Sequence, residues 1–128
     1  MRKKVTLILG PSPSGKTTKA KQLTEGKKAV WIYGLTDSDF AYSEVTRETE
    51  IIVIEGADIS NKNSFSQFLF LVTTVNLIVH KRGVHSFEMT CPDLIITSNT
   101  INPEEITPRP NMDIINLYPS DYIFPEKK

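Results

Sequence analysis

The segment from residue 5 to residue 17 reads Val5-Thr6-Leu7-Ile8-Leu9-Gly10-Pro11-Ser12-Pro13-Ser14-Gly15-Lys16-Thr17. It begins with an apolar run that predicts a short buried strand, ended by Gly10. Good helix formers follow over residues 16–25 and stop at Gly26, which predicts a helix. Between the strand and the helix the sequence fits the pattern G-x4-G-K-[ST], in the structural context that this motif requires.

The motif indicates a phosphate-binding loop of the Walker A type, rather than a Gly/Pro/Ser turn that matches by chance. Its glycines let the chain wrap around an anion, and the loop amides point inward with the positive end of the helix dipole. We expect Lys16 to pair with the β- and γ-phosphates of a nucleotide and Thr17 to ligate Mg²⁺. The residues predicted to bind the nucleotide are Gly10, Ser14, Gly15, Lys16, Thr17 and Thr18.

Pro13 departs from the usual chemistry of this loop because proline has no N–H. The amide three residues before the lysine normally faces the oxygen that bridges the β- and γ-phosphates. We expect its loss to leave binding intact and to weaken the stabilisation of charge that develops there during cleavage.

Further apolar runs alternate with a helical segment along the chain. Predicted strands cover Ala29–Tyr33 and residues 51–54, 94–97 and 112–118; residues 64–75 have helical spacing, and residues 76–90 look like a hairpin. The β-branched run at residues 51–54 must be covered on both faces, which favours the interior of a parallel sheet. The sequence therefore predicts an α/β fold, a three-layer sandwich with a mostly parallel sheet.

The amino-acid composition excludes several functional classes of protein. The 128 residues hold 15 Lys+Arg and 15 Asp+Glu, so the net charge of zero excludes a generally basic nucleic-acid binder. A single cysteine excludes an internal disulfide and favours a reducing compartment. No apolar run reaches the ~18 residues of a membrane span. We expect a cytoplasmic protein without a membrane partner, one domain over residues 1–128 with its core over residues 4–118.

An acidic residue comes directly after the run at residues 51–54. Nucleotidases with this loop need a carboxylate at the end of a neighbouring strand to hold Mg²⁺, and Glu55 is the candidate, both catalytic and metal-binding. The alternative is an ordinary solvated glutamate at a strand end. Many such enzymes place a second carboxylate next, as a base for water, but that position is Gly56 here. Asp58 is the candidate substitute.

Two more segments of the chain carry motifs that add to the two described above. They read Val79-His80-Lys81-Arg82-Gly83-Val84-His85-Ser86-Phe87 and Asp93-Leu94-Ile95-Ile96-Thr97-Ser98-Asn99. With the Walker A motif and the acidic strand end (Walker B), they resemble the helicase domain of superfamily 3. The resemblance is strongest to replication initiators of small circular single-stranded DNA viruses and plasmids. That family has Walker A, Walker B, a B-prime motif with a Lys-x-Gly core and a motif C ending in Thr-Ser-Asn. The resemblance covers residues 4–102.

The resemblance implies an ATPase that works with Mg²⁺ and prefers adenine over guanine. It implies a central Walker A strand, with the motif C strand between it and the Walker B strand. Asn99 would position the attacking water near the γ-phosphate; the alternative is a turn-forming asparagine.

The resemblance also implies partners. Lys81 and Arg82 would contact the backbone of single-stranded DNA or RNA, against the alternative of a solvated turn. Family members act as homo-oligomeric rings, in which an arginine of one copy stabilises the transition state of its neighbour. Arg109, downstream of motif C and flanked by prolines, is the candidate; the alternative is a solvated loop arginine.

Two other functions remain open. The first is a nucleotide-binding interaction module that hydrolyses poorly, which Gly56 and Pro13 favour. The second is a small-molecule kinase, since many kinases are short proteins with a phosphate-binding loop. Kinases usually clamp phosphates with several lid arginines, and this chain has only four arginines at scattered positions.

Overall fold

The computed structural model of the protein describes residues 3–35, 41–81 and 83–124. The strands are β1 (Val5–Leu9), β2 (Ala29–Tyr33), β3 (Ile51–Glu55), β4 (Asn76–Val79), β5 (Phe87–Thr90), β6 (Asp93–Ser98) and β7 (Met112–Asn116). The helices are α1 (Lys16–Thr24) and α2 (Lys62–Thr73), and Pro103–Glu105 forms a short 3₁₀ turn.

Five strands form one sheet in the order β2-β3-β6-β1-β7, and each neighbouring pair is parallel. The predicted parallel sheet, with the motif C strand β6 between β1 and β3, is confirmed. Strand β1 is interior, between β6 and β7, and β6 takes the middle place. All five residues of β1 are buried, as expected of an apolar strand that is covered on both faces.

Helices cover the two faces of the sheet. On one face Ala20 of α1 packs with residues that include Ile8, Val53 and Ile95. On the other face, α2 and the β4–β5 hairpin bury residues that alternate with the first set along each strand. They are Phe68, Leu71, Val72, Leu77 and Val79, packed with Leu7, Ile52, Ile54, Leu94 and Ile96. The result is a three-layer sandwich.

The second helix begins two residues earlier than its apolar spacing predicted. Asn61 precedes its first turn, and the Asn61 side chain accepts a hydrogen bond from the Ser64 N–H at 2.8 Å. Such a cap satisfies one of the free amides of a helix start and so fixes where the helix begins. Neither helix of the described residues is long and apolar enough to cross a lipid bilayer.

The predicted hairpin is confirmed. Strands β4 and β5 pair antiparallel, with Asn76 opposite Thr90 and Val79 opposite Phe87. Leu77 and Val79 are buried in the core, and residues 80–86 connect the strands. The hairpin therefore places its connecting loop away from the core.

Candidate functional site

A cavity of about 410 Å³ lies at the carboxyl ends of β1, β3 and β6. It is lined by Ser12, Pro13, Ser14, Gly15, Lys16, Thr17, Thr18, Glu55, Gly56, Thr97 and Asn99. Most residues that the motifs singled out for the nucleotide site meet here. Parallel sheets bind ligands at this edge because the loops that leave the strands converge there.

Gly10 does not line the cavity but supports the loop through a backbone hydrogen bond. Its N–H donates to the Ser98 carbonyl oxygen at 3.1 Å, which ties the loop to the end of β6. A Cβ at Gly10 would lie 2.6 Å from Ser14 Oγ and 2.8 Å from Leu117 Cβ. Only glycine permits this close approach, so the first glycine of the motif serves packing here.

The second glycine of the motif shapes the start of α1. Gly15 has a φ of 85° and a ψ of 15°, a left-handed conformation that favours glycine. In the part of the chain that the structure describes, no side chain caps α1 at this position. The amides of the first helical turn are therefore left for another acceptor, and the helix dipole favours an anion there. The loop thus fits a phosphate group.

Lys16 lies across the loop. Its ammonium donates to the Pro11 carbonyl oxygen at 2.9 Å and to Ser14 Oγ at 3.4 Å. Burial lowers the pKa of Lys16, and the nearby Glu55 carboxylate opposes this shift. Among the described residues, the hydrogen-bond partners of the ammonium are neutral acceptors, so an anionic ligand offers it a stronger partner.

Thr17 and Glu55 meet at one side of the cavity. The Thr17 hydroxyl donates a hydrogen bond to Glu55 Oε1. Hydroxyl and carboxylate oxygens are the hard ligands that Mg²⁺ prefers, and Mg²⁺ sites commonly combine one or two carboxylates with substrate phosphates. Among the described residues no group of three or more His, Cys, Asp or Glu side chains could hold a metal ion. By the type of its oxygens alone, the Thr17 and Glu55 pair suits a Mg²⁺ ion that is also bound by phosphate.

Sequence reasoning missed a buried hydrogen-bond network beneath the cavity. Thr97 Oγ1 accepts from the Gly56 N–H at 3.1 Å, and the Thr97 carbonyl oxygen accepts from the Ala57 N–H at 2.9 Å. These bonds attach the turn after Glu55 to β6. The signal in the sequence is a polar residue at the end of a buried apolar strand.

Ser98 completes the network and is fully buried. Its hydroxyl donates to the Ala57 carbonyl oxygen at 2.5 Å and accepts from the N–H groups of Thr100 and Ile101 at 3.1 and 3.2 Å. The turn that carries Asn99 is thereby attached to the turn after β3. Asn99 itself is exposed and lines the cavity.

The structure does not bring Asp58 to the cavity, contrary to its proposed substitution for a second carboxylate. Asp58 Oδ1 accepts from the Ser60 N–H at 2.9 Å and from Thr100 Oγ1 at 3.4 Å. Gly56 has a φ of 74°, and Ala57 after it is buried. The chain therefore turns at the end of β6 before Asp58, and the carboxylate is hydrogen-bonded within its own loop and to Thr100 rather than lining the cavity.

Two of the residues predicted to contact partners, Lys81 and Arg109, do not line this cavity. Lys81 is half-buried in the loop of the hairpin, where His80 Nδ1 and Ser86 Oγ are hydrogen-bonded at 2.7 Å. Arg82 lies outside the described residues. Arg109 is exposed, and its carbonyl accepts from the N–H of Met112, which pairs with Val5 at the start of β1. Arg109 is therefore at the amino edge of the sheet, opposite the cavity.

Comparison with solved structures supports the fold. Two structures of the NrS-1 C-terminal region match with TM-scores of 0.65 and 0.62, at 15% and 16% identity, and cover 90% and 88% of this chain. A JCV helicase structure matches with a TM-score of 0.56 at 19% identity over 93% of this chain. This chain spans 29%, 29% and 37% of those chains. No protein-family model and no curated protein matches the chain.

These likenesses show the fold alone. The chain has a helicase-like α/β fold, a sandwich of the P-loop NTPase kind built on a five-stranded parallel sheet.

Proposed function

We propose that the protein is a P-loop ATPase of the superfamily 3 helicase type. It binds ATP with Mg²⁺, hydrolyses the γ-phosphate, and contacts single-stranded DNA or RNA through the loop that carries Lys81. The observation that carries the proposal is the single cavity lined by Lys16, Thr17, Glu55 and Asn99, which arrive from three segments of the chain. The likeness to solved helicase regions supports it.

Binding of the triphosphate uses the loop and the start of α1. The amides after Gly15 receive phosphate oxygens, and Lys16 exchanges its neutral partners for the β- and γ-phosphates. Thr17 and Glu55 would hold Mg²⁺, which neutralises charge that develops on the phosphates. The ligand set thus matches what the cavity offers.

Hydrolysis then needs an oriented water molecule. A bond forms between the water oxygen and the γ-phosphorus, the bond to the bridging oxygen breaks, and ADP and phosphate leave. Asn99 orients the water through its amide, and Lys16 stabilises the negative charge on the γ-phosphate. Glu55 is the one carboxylate among the described residues that line the cavity, and the proposal assigns it to Mg²⁺. The water proton therefore leaves to phosphate or to solvent.

The proposal includes a ring of copies. Arg109 lies at the amino edge of the sheet, and a strand of five residues is about 17 Å long. Arg109 is therefore remote from the cavity of its own chain. A role at the γ-phosphate requires that the arginine of one copy reach the cavity of the next.

A second function is favoured by a specific observation. Asp58 does not line the cavity, Gly56 stands at the position of a second carboxylate, and Pro13 on the cavity wall lacks an N–H. These features favour a nucleotide-binding module with slow turnover. In that case nucleotide binding would control a partner rather than drive movement along nucleic acid.

One experiment tests both functions. ATP binding and ATP turnover are measured with and without single-stranded DNA, for the wild type, for Lys16→Ala and for the control Lys21→Ala. Lys21 is an exposed lysine of the same helix and does not line the cavity. We expect binding and turnover in the wild type and in Lys21→Ala, and loss of both in Lys16→Ala.

The outcomes separate the candidates. Tight binding without turnover, even with DNA, favours the nucleotide-binding module. Turnover that is unchanged in Lys16→Ala contradicts both functions, because the lysine is central to the phosphate site in each.

A further inference from the structure

We propose that the Thr97 hydroxyl donates a hydrogen bond to an oxygen of the terminal phosphate of bound ATP. This inference rests on the proposed function and extends it, since it assigns recognition of the γ-phosphate to a residue of β6 itself. Thr97 would then help the protein to distinguish a triphosphate from a diphosphate.

The fold places Thr97 on the floor of the cavity. In the register of β6 with β1, Thr97 lies beside Ile8, and it comes two residues after Ile95 on the face covered by α1. Glu55 comes two residues after Val53 on that same face. Thr97 therefore lies between the strand that enters the phosphate loop and the strand that ends in the acidic residue.

The hydroxyl of Thr97 has an unused donor. The side chain is 1% exposed, and its oxygen accepts from the Gly56 N–H at 3.1 Å. A threonine hydroxyl both donates and accepts. Among the described residues it makes no other hydrogen bond. A buried donor without an acceptor is costly, so a ligand oxygen in the cavity would relieve that cost.

The neighbours of Thr97 indicate which phosphate it meets. Glu55, on one side, is the candidate metal carboxylate, and Asn99 comes two residues later in the chain. Both belong to the end of the cavity where the γ-phosphate and the attacking water are expected. Gly56, which is held by Thr97, brings no carboxylate, so this part of the floor does not repel a phosphate.

The Gly56 bond also gives the hydroxyl a fixed direction. Because one lone pair of Oγ1 is held by a backbone amide, the hydrogen has fewer orientations available. A preoriented donor loses less freedom when the ligand binds. Thr97 is therefore suited to contact a charged oxygen that ADP lacks.

The test compares Thr97→Val and Thr97→Ser with the wild type. Valine keeps the shape and removes the hydroxyl, whereas serine keeps the hydroxyl. Dissociation constants are measured with Mg²⁺ for ADP and for a non-hydrolysable ATP analogue that keeps the γ-phosphate oxygens. We expect Thr97→Val to weaken binding of the analogue by about 10- to 100-fold more than binding of ADP. Thr97→Ser should keep the wild-type ratio.

The ratio of the two constants makes the test robust, because an unfolded fraction would affect both nucleotides equally. Thr97→Cys, whose thiol is a weak donor, is a second variant and should give an intermediate ratio. If the analogue and ADP lose the same factor, or neither changes, the inference is wrong and Thr97 only supports Gly56. If the wild type binds neither nucleotide, the proposed function is wrong and the inference falls with it.

Discussion

The Thr17 hydroxyl on the first turn of α1 donates a hydrogen bond to the Glu55 carboxylate at the end of β3. These residues are 38 positions apart in the chain, and parallel pairing through β6 brings their elements side by side. The two oxygens that the motifs assign to Mg²⁺ are thus adjacent before any ligand arrives. Under the proposed function, Mg²⁺ would meet both oxygens with little rearrangement of the protein.

This contact predicts that Glu55→Gln weakens the effect of Mg²⁺ on nucleotide binding. The amide oxygen still accepts from Thr17, but the negative charge is lost. We expect the gain in ATP affinity on adding Mg²⁺ to fall by about tenfold or more. The measurement is a titration of ATP with Mg²⁺ and with a chelator. Glu50→Gln, before the start of the same strand, is the control, and equal effects of the two variants would contradict the assignment.

Gly10→Ala should disrupt the phosphate loop. The new Cβ would meet Leu117 Cβ at 2.8 Å and Ser14 Oγ at 2.6 Å, and the first of these atoms is not a flexible side-chain end. We expect a loss of about 1–3 kcal/mol in the free energy of unfolding, together with weaker ATP binding. Urea unfolding and a nucleotide titration measure the two effects. Adding Ser14→Gly should restore only part of the stability; full recovery would show that Leu117 yields.

Ser98→Ala should destabilise the edge that carries the cavity. The Ala57 carbonyl loses its donor, and the amides of Thr100 and Ile101 lose their acceptor, all next to a fully buried side chain. Leaving buried polar groups unpaired costs about 1–3 kcal/mol. Chemical unfolding measures this loss in the free energy of unfolding. Ser60→Ala, at an exposed position, is the control. A shift no larger than that of the control would mean that the network adds little stability.

Stability should fall at alkaline pH through Tyr42. Burial raises the pKa of Tyr42 from 10.0 to about 12, and the nearby Cys91 adds to the shift. Above pH 10 the unfolded chain loses the phenolic proton of Tyr42, whereas the folded protein keeps it. The unfolded state is therefore stabilised relative to the folded state, and the free energy of unfolding falls. The loss grows to about 2 kcal/mol by pH 12.

Tyr42→Phe tests this dependence. The variant should remove that part of the decline in the free energy of unfolding between pH 10 and pH 12. Tyr33→Phe, at a position that is 79% exposed, is the control and should keep the decline. Parallel pH profiles for Tyr42→Phe and the wild type would show that burial of Tyr42 does not control alkaline stability.

Lys81→Ala should weaken binding of single-stranded nucleic acid and leave ATP binding unchanged, since Lys81 does not line the cavity. A contact to phosphate releases about one counterion, so the slope of log affinity against log salt should fall by about 0.7 for a single strand. The measurement is a salt series with a labelled oligonucleotide. Lys62→Ala, an exposed lysine of α2, is the control. An unchanged slope in Lys81→Ala would exclude this lysine from the contact.

Several elements are determined by local sequence. β1 and β2 have the predicted bounds, because each is an apolar run ended by glycine. β3 extends one residue further than predicted, since Glu55 still pairs with Tyr33. β7 ends two residues earlier, where the Asn116 side chain accepts from the Tyr118 N–H and interrupts the strand. Pairing with the neighbouring strand sets the end of β3, and a side-chain bond to the backbone sets the end of β7. Apolar periodicity reports neither.

Local patterns by themselves determined the phosphate loop, the buried strands, the hairpin and the acidic strand end, because each depends on residues that are neighbours in the chain. The tertiary structure was needed to show that Asp58 does not line the cavity and that Gly10 packs against Leu117. It also decided that Thr97 holds Gly56 from 41 residues away. Parallel strands join distant segments, so the contacts at their ends depend on sheet order and register, which no local stretch encodes.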